Sequence, residues 1–381
     1  MKNKKLILGL STLLFLALFV PIAFLNFASK EKSAVPEDFY WGVTAGGNVA
    51  DTMRLIDKIK DFTNLLLITN LEITTNRTSL EKVLDYAYDA ELNFYVHIFH
   101  PSYRVVFDYN PFQWAYEAKE RYGDQFLGYY LLDEPGGNQL DLGGFQQFDT
   151  STMPYDYRDA ANTFVYYLYI QMRDFIKIDK LVTSDYGLYW YDYEAGYDSV
   201  FCHFGWNNSR AVNVALCRGA AKMHNKTWGV MITWTYDQEP YIGSASELYQ
   251  DMVTAYNAGA KYVAVFNYPN IGPYGLLNDD QFSAIEDFRN FVLENSQNRK
   301  SNQDKVAYVL PENYGWGFRT PDDKIWGVWE ADSVAEEIWN DINDLTQKYN
   351  YDFDIIYSSP WTTFFWRAHY DKRIFWDGTE T

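Results

Sequence analysis

What most constrains this chain is a regular alternation between Phe39 and Asn295. Eight apolar runs occur there, each followed by a segment of helical character. The runs are Phe39–Gly47, Asn64–Thr74, Leu92–Pro101, the stretch from Phe126 into Gly137, Leu181–Trp190, Asp198–Trp206, Thr227–Tyr241 and Lys261–Pro269. They are apolar nearly throughout rather than at every second position, the pattern of parallel strands covered on both faces. Eight strand and helix units in succession predict an α/β fold, a closed (β/α)8 TIM barrel. An open doubly wound sheet is the rival, but no Gly-rich phosphate loop follows the first run as that fold would show.

Local signals agree with the alternation. Thr78 with Glu81, and Ser244 with Glu247, have the spacing of capping boxes that open helices. Gly259 closes the second of these. Ala211, Ala215, Gly219 and Ala220 give the helix after the sixth strand a small-residue face for close packing. The polar stretch Asn298 to Lys305 marks a boundary, so the barrel is expected over 36–298 and an aromatic-rich αβ appendage, packed on it, over 304–381.

Ahead of the barrel, Lys2, Lys4 and Lys5 precede an uncharged run from Leu6 to Ala28. At about 1.5 Å per residue it can just cross a hydrocarbon core of about 30 Å. The flanking lysines would hold the N-terminus in the cytoplasm. Residues 1–30 are therefore a signal anchor or a signal peptide, with poor cleavage-site residues favouring the anchor. The remainder is expected outside, membrane-bound or secreted, where Asn76, Asn207 and Asn225 stand in glycosylation sequons. Cys202 and Cys217 are too few for a disulfide framework and lack metal-ligand spacing; they form one disulfide or remain two buried thiols.

Composition narrows the partner. A net charge of −19 argues against nucleic acid, which needs clustered Lys and Arg. Aromatics make up 19% of the chain, with 33 Tyr and 13 Trp. Much of that excess fills core, but a ring-lined groove also suits sugars, whose C–H faces stack on aromatics.

The fourth run, FLGYYLLDEPGG, ends abruptly at Asp133 and Glu134 and is broken by Pro135, Gly136 and Gly137. Burying an ionised carboxylate costs several kcal/mol unless it is partnered, so adjacent acids at a strand end belong at the mouth of a site. In a barrel the site lies at the carboxyl ends of the strands. Those ends supply Asn70, Glu72, His100, Asp133, Glu134, Asp185, His203, Trp206, Asp237, Glu239, Asn267 and Tyr268. His100 and His203 lack the spacing of a metallohydrolase, so no metal is expected.

From Phe39 to Asn295 the sequence resembles the (β/α)8 glycoside hydrolases of the large clan with an acid/base carboxylate ending strand 4 and a nucleophilic carboxylate ending strand 7. The sharpest motif is Asp133-Glu134-Pro135. The common family version has Asn before the catalytic Glu; Asp133 departs from it, which bears on sugar selectivity. The resemblance implies Glu134 as acid/base and retention through a covalent intermediate. As nucleophile, Glu239, beside Pro240, is preferred over Asp237; both lie beyond the apolar core of their strand. Substrate contacts are expected from Asp133, His100, His203, Trp206, Trp234, Tyr236, Asn267 and Tyr268, with no cofactor. The expected activity is cleavage of an extracellular poly- or oligosaccharide, which needs two carboxylates, one protonating the leaving oxygen and one supporting the oxocarbenium-like centre. The alternative is a catalytically silent barrel that binds glycans at the cell surface.

Overall fold

Eight parallel strands close on themselves in sequence order in the computed structural model, which describes residues 39–98, 105–145, 153–296, 306–360 and 369–381. The element order is β1 (Tyr40–Ala45), α1 (Val49–Ile59), β2 (Leu65–Ile68), α2 (Leu71–Thr74), α3 (Arg77–Asp89), β3 (Asn93–Ile98), α4 (Pro111–Tyr122) and β4 (Phe126–Leu131). It continues with α5 (Pro135–Leu142), α6 (Tyr157–Met172), β5 (Leu181–Asp185), α7 (Tyr189–Ala195), β6 (Ser199–Phe204), α8 (Arg210–Met223) and β7 (Thr227–Ile232). α9 (Ala245–Asn257), β8 (Tyr262–Val265) and α10 (Asp279–Asn295) complete the barrel. The sheet closes because β1 pairs with β8 as well as with β2.

Period-two alternation decides what fills the barrel. Leu65, Leu67, Tyr95, Tyr130, Val182, Phe201, Met231, Tyr262 and Ala264 pack together inside it as a separate cluster. The intervening residues, among them Leu66, Ile68, Phe94, Val96, Val230 and Val263, face the helices and join the larger core. Continuing the inward parity one residue pair beyond this cluster gives Thr44, His97, Ser184, His203, Thr233 and Phe266. The carboxyl end of the barrel thus changes from apolar to polar within one layer.

The strands are shorter than their apolar runs. The second run continues into α2, with Asn70 as its N-cap accepting from Ile73 N at 3.2 Å. Glu72 is exposed on that helix. Asn76, not Thr78, caps α3, since its side chain accepts from Ser79 N. The Ser244 and Glu247 capping box forms as read from the sequence. Cys202 and Cys217 are buried free thiols.

Past the barrel, β9 (Val306–Leu310), α11 (Ser333–Tyr349), β10 (Asp354–Tyr357) and β11 (Lys372–Phe375) form a small unit whose parallel sheet has the order β10-β9-β11. It explains why α8 is buried on nearly all sides, from Ala211 to Ala221. One face of α8 lies on β6 and the other meets β10, where Arg218 Nε donates to Asp354 Oδ1 at 2.7 Å and Tyr370 donates to Oδ2 at 2.9 Å. A buried ion pair of this kind needs such extra partners to offset its desolvation. The apolar run Leu6–Ala28 lies outside the described residues, and among those residues no helix is long and apolar enough to cross a membrane.

Candidate active site

A cavity of about 330 Å³ opens at the carboxyl end of the barrel. Leu67, Tyr130 and Met231 form its floor, and Thr44, His97, Ser184, His203, Thr233 and Phe266 rise above them; Thr69, Asn70, Asp133, Glu134 and Tyr268 also line it.

Two consecutive acids reach one cavity because the backbone leaves strand geometry. In a regular strand neighbours face opposite sides. Here Leu132 and Glu134 both adopt the left-handed conformation, with φ of 58° and 52°. That costs energy for residues with a Cβ and persists only where the surroundings impose it. Thr183 Oγ1 donates to the Leu132 carbonyl, and Glu134 N donates to Ser184 O at 3.1 Å. Pro135 then opens α5 as its first residue instead of ending the ordered segment, a place where proline's missing N–H costs nothing. Asp185 faces away from the cavity and accepts from Gly136 N at 2.6 Å and Gly137 N at 2.8 Å. Gly137 is required by close approach, since a Cβ there would lie within the Tyr186 ring.

The polar groups form an arc joining the two acids. Tyr130 donates its hydroxyl proton to Asp133 Oδ1 and lies 2.7 Å from Ser184 Oγ. Ser184 Oγ is 2.9 Å from His203 Nε2, and His203 Nδ1 stands 3.6 Å from Glu134 Oε1. Burial pushes His203 down to about 3, so the imidazole is neutral and its approach to Glu134 is not an ion pair. His97 is likewise held neutral by burial and sets its ring edge-on to Tyr130 at 4.8 Å.

Electrostatics separate the acids. Glu134 is pushed up to about 8, first by burial and then by the negative charges of Asp133, Asp185 and Asp141. Asp133 presents surface to the cavity but has protein around it; burial raises its carboxyl, while the hydroxyls of Tyr130 and Ser184 pull it back. Those donors favour the charged form of Asp133, whereas burial and the neighbouring negative charges favour the protonated form of Glu134. Neighbouring carboxyls whose surroundings favour opposite protonation states are the arrangement that acid catalysis uses.

The structure thus brings together Asn70, Asp133, Glu134, His203 and Tyr268 from the residues expected at the site. The others are placed differently. Asp237 and Glu239 are exposed in the loop after β7 and do not line the cavity; that loop folds on itself through Thr235 N and Tyr236 N donating to Tyr241 O at 2.6 and 2.9 Å. The strand ends at Ile232 and does not extend to Tyr236. Asn267 is buried behind the wall, accepting from Leu276 N at 2.7 Å and Leu277 N at 2.9 Å. Trp234 packs against Phe266 and Tyr268 from behind, while Trp206 and Tyr236 stand exposed nearby. His100 lies outside the described residues. Tyr130, Ser184, His97 and Thr233 were not singled out from the sequence, though inward parity counted from the barrel core identifies each one. Among the described residues no cluster of His, Cys, Asp and Glu has the arrangement of a metal site.

No protein-family profile and no curated protein matches the chain. Solved structures share its fold. The α-L-fucosidase isoenzyme 2 from Paenibacillus thiaminolyticus aligns with a TM-score of 0.51 at 10% identity, covering 88% of this chain and 64% of that one. The present chain therefore spans about two thirds of that enzyme's length. An N-terminal endo-1,4-β-D-xylanase 10B of Clostridium thermocellum complexed with xylohexaose aligns at a TM-score of 0.42, with 11% identity over 68% of this chain and 66% of that one. A thiamine phosphate pyrophosphorylase from Pyrococcus furiosus aligns at 0.34, with 12% identity over 68% and 97%. Glycoside hydrolases thus occur beside unrelated barrel enzymes, and identities this low show the barrel alone.

Proposed function

We propose that the chain hydrolyses glycosidic bonds, with Glu134 as the acid that protonates the leaving oxygen. The observation that carries this reading is the environment of Glu134. It is a carboxyl raised to about 8, beside the hydroxyl-bonded Asp133, in a cavity walled by Thr, Asn, His, Phe and Tyr side chains. Such walls offer both hydrogen bonds and a stacking face, as a sugar needs. In this scheme Asp133 keeps its charge and supports the positive centre that develops as the bond breaks. Residues 39–381 act outside the cell, held by or released from the N-terminal apolar run.

Stereochemistry turns on the second face of the sugar. Inversion needs a water opposite Glu134 and a carboxylate base to take that water's proton, a role left to Asp133 in this scheme, whereas retention by a covalent enzyme intermediate needs Asp237 or Glu239 brought in from its loop. The exposure of those two acids also favours a second reading, a barrel that binds glycans without cutting them. Glu134→Gln distinguishes the two. Against a panel of reporter glycosides and polysaccharides, the wild type should release reducing ends and the variant should not, while calorimetry still shows the variant binding. A wild type that binds the panel and cuts none of it leaves only the binding barrel.

A further inference from the structure

Trp206 is held in a conformation that a tryptophan does not adopt without constraint. Its φ is 46°, in the left-handed region, and its side chain is on the surface, with the residue 42% exposed. A large exposed ring on a strained backbone, connected through other rings to the wall of a cavity, is rarely incidental. The surroundings fix it from several sides. Trp206 N donates to Trp234 O at 2.6 Å. A Cβ on the preceding Gly205 would meet the same carbonyl at 2.6 Å, so only glycine permits this approach. Arg210 Nη1 reaches the carbonyls of Gly205 and Trp206 at 3.4 Å and of Asn208 at 3.1 Å. The guanidinium is itself anchored, its Nη2 lying 3.2 Å from Asp251 Oδ2.

The rings continue from this point into the cavity. Trp206 meets Trp234 edge-on at 6.4 Å, and Trp234 lies parallel to Tyr268 at 6.4 Å, with 12° between their planes. Tyr268, 45% exposed, is both the last of this series and part of the cavity wall. The cavity is at the small end for ligand pockets, so it accommodates the groups at the cleavage point and little more.

We infer that Trp206 is a stacking subsite for sugar units beyond those in the cavity, so that the substrate is an uncharged oligo- or polysaccharide chain and not a single terminal sugar. This rests on the glycan reading of the cavity above. Rings that bind a membrane surface are accompanied by Lys and Arg; here the charges that follow Trp234 are Asp237 and Glu239, both exposed. The same carboxylates disfavour an acidic glycan. Arg210 and Asp251 act as positioning residues, keeping the indole in place before the chain arrives, which reduces the ordering cost of binding.

The test uses the full chain and neutral cello-, xylo-, manno- and malto-oligosaccharides from disaccharide to hexasaccharide, alongside aryl monoglycosides. For Trp206→Ala, the ratio of kcat/KM on the hexasaccharide to that on the aryl monoglycoside should fall about tenfold, mostly in KM, as expected for losing one stacked ring. Trp206→Phe should recover much of the ratio, and Arg210→Ala should lower it in the same direction. Thermal melts establish that each variant is folded. An unchanged ratio, or an equal loss on short and long substrates, overturns the subsite and leaves the hydrolase proposal intact. If the wild type cuts nothing, hexasaccharide affinity is read instead. Weaker binding by Trp206→Ala then supports the subsite on a non-catalytic barrel, and unchanged binding overturns it.

Discussion

The ends of β4 and β7 each present a pair of acids, and the molecule treats the pairs in opposite ways. Asp133 and Glu134 are drawn into the cavity by two left-handed residues and raised in pKa, and Asp133 is bonded by the Tyr130 hydroxyl. Asp237 and Glu239 lie in an exposed loop that closes on its own backbone. The contrast teaches that a carboxylate acquires chemical capacity from enclosure. Placement after a barrel strand is not enough, because water screens an exposed charge.

The largest effect should come from exchanging whole pairs. Asp133→Asn with Glu134→Gln should reduce kcat on any cleaved glycoside about a thousandfold or more, since a general acid alone contributes 10²–10⁴-fold. Asp237→Asn with Glu239→Gln should leave at least a third of the activity. Initial rates on one substrate test both, and similar losses would abolish the distinction between the strand ends.

Asp133→Asn alone should lower kcat about a hundredfold by removing the stabilising charge. It should also move the pH profile. In the wild type the alkaline limb of kcat/KM should fall near pH 8, where Glu134 loses its proton. Removing the charge of Asp133 makes ionisation of Glu134 easier and shifts that limb downward. The same raised pKa has a sign for stability. Folded Glu134 keeps a proton that the unfolded chain has lost, so its contribution is complete below the ordinary pKa of 4.5 and disappears as pH rises through about 8. Urea melts of wild type and Glu134→Gln across that range should converge at acid pH and diverge at alkaline pH.

Support beneath the β4 pair can be tested without touching either acid. Gly137→Ala places a methyl group in the Tyr186 ring and should cost about 1–3 kcal/mol by overpacking. By contrast, Gln238→Ala in the loop after β7 trims a side chain at an exposed position and should stay within about 0.5 kcal/mol. Denaturant midpoints measure both.

These differences also mark what a reader of the sequence can recover. Eight apolar runs, Ser244 with Glu247, and the acids before Pro135 were legible because each rests on a local rule. Inward parity was equally available: Tyr262, Ala264 and Phe266 alternate inward, which sends Asn267 behind the wall, and Val182 with Ser184 sends Asp185 toward α5. The apolar runs, however, continue past the true strand ends and conceal where alternation stops. Illegible in principle was the pair of left-handed turns at Leu132 and Glu134. Nothing in either side chain favours that conformation; β5 imposes it through Thr183 and Ser184. The burial of α8 under β10 is similarly non-local, and the small residues showed only that something packs there.

The smallest expected effect bears most directly on mechanism. Glu239→Gln and Asp237→Asn, made singly, should each change kcat by less than about threefold, because a solvated carboxylate outside the cavity has no reacting atom to stabilise. Product analysis by NMR during the first turnover minutes gives a second, independent reading of the same point. If water is the nucleophile, the anomeric configuration inverts and both variants remain active. If either variant instead loses activity a hundredfold while the product retains its configuration, the loop after β7 must fold over the cavity when substrate is present. The contrast between the strand ends would then be a property of the empty barrel, and the 235–241 loop would carry the second half of the active site.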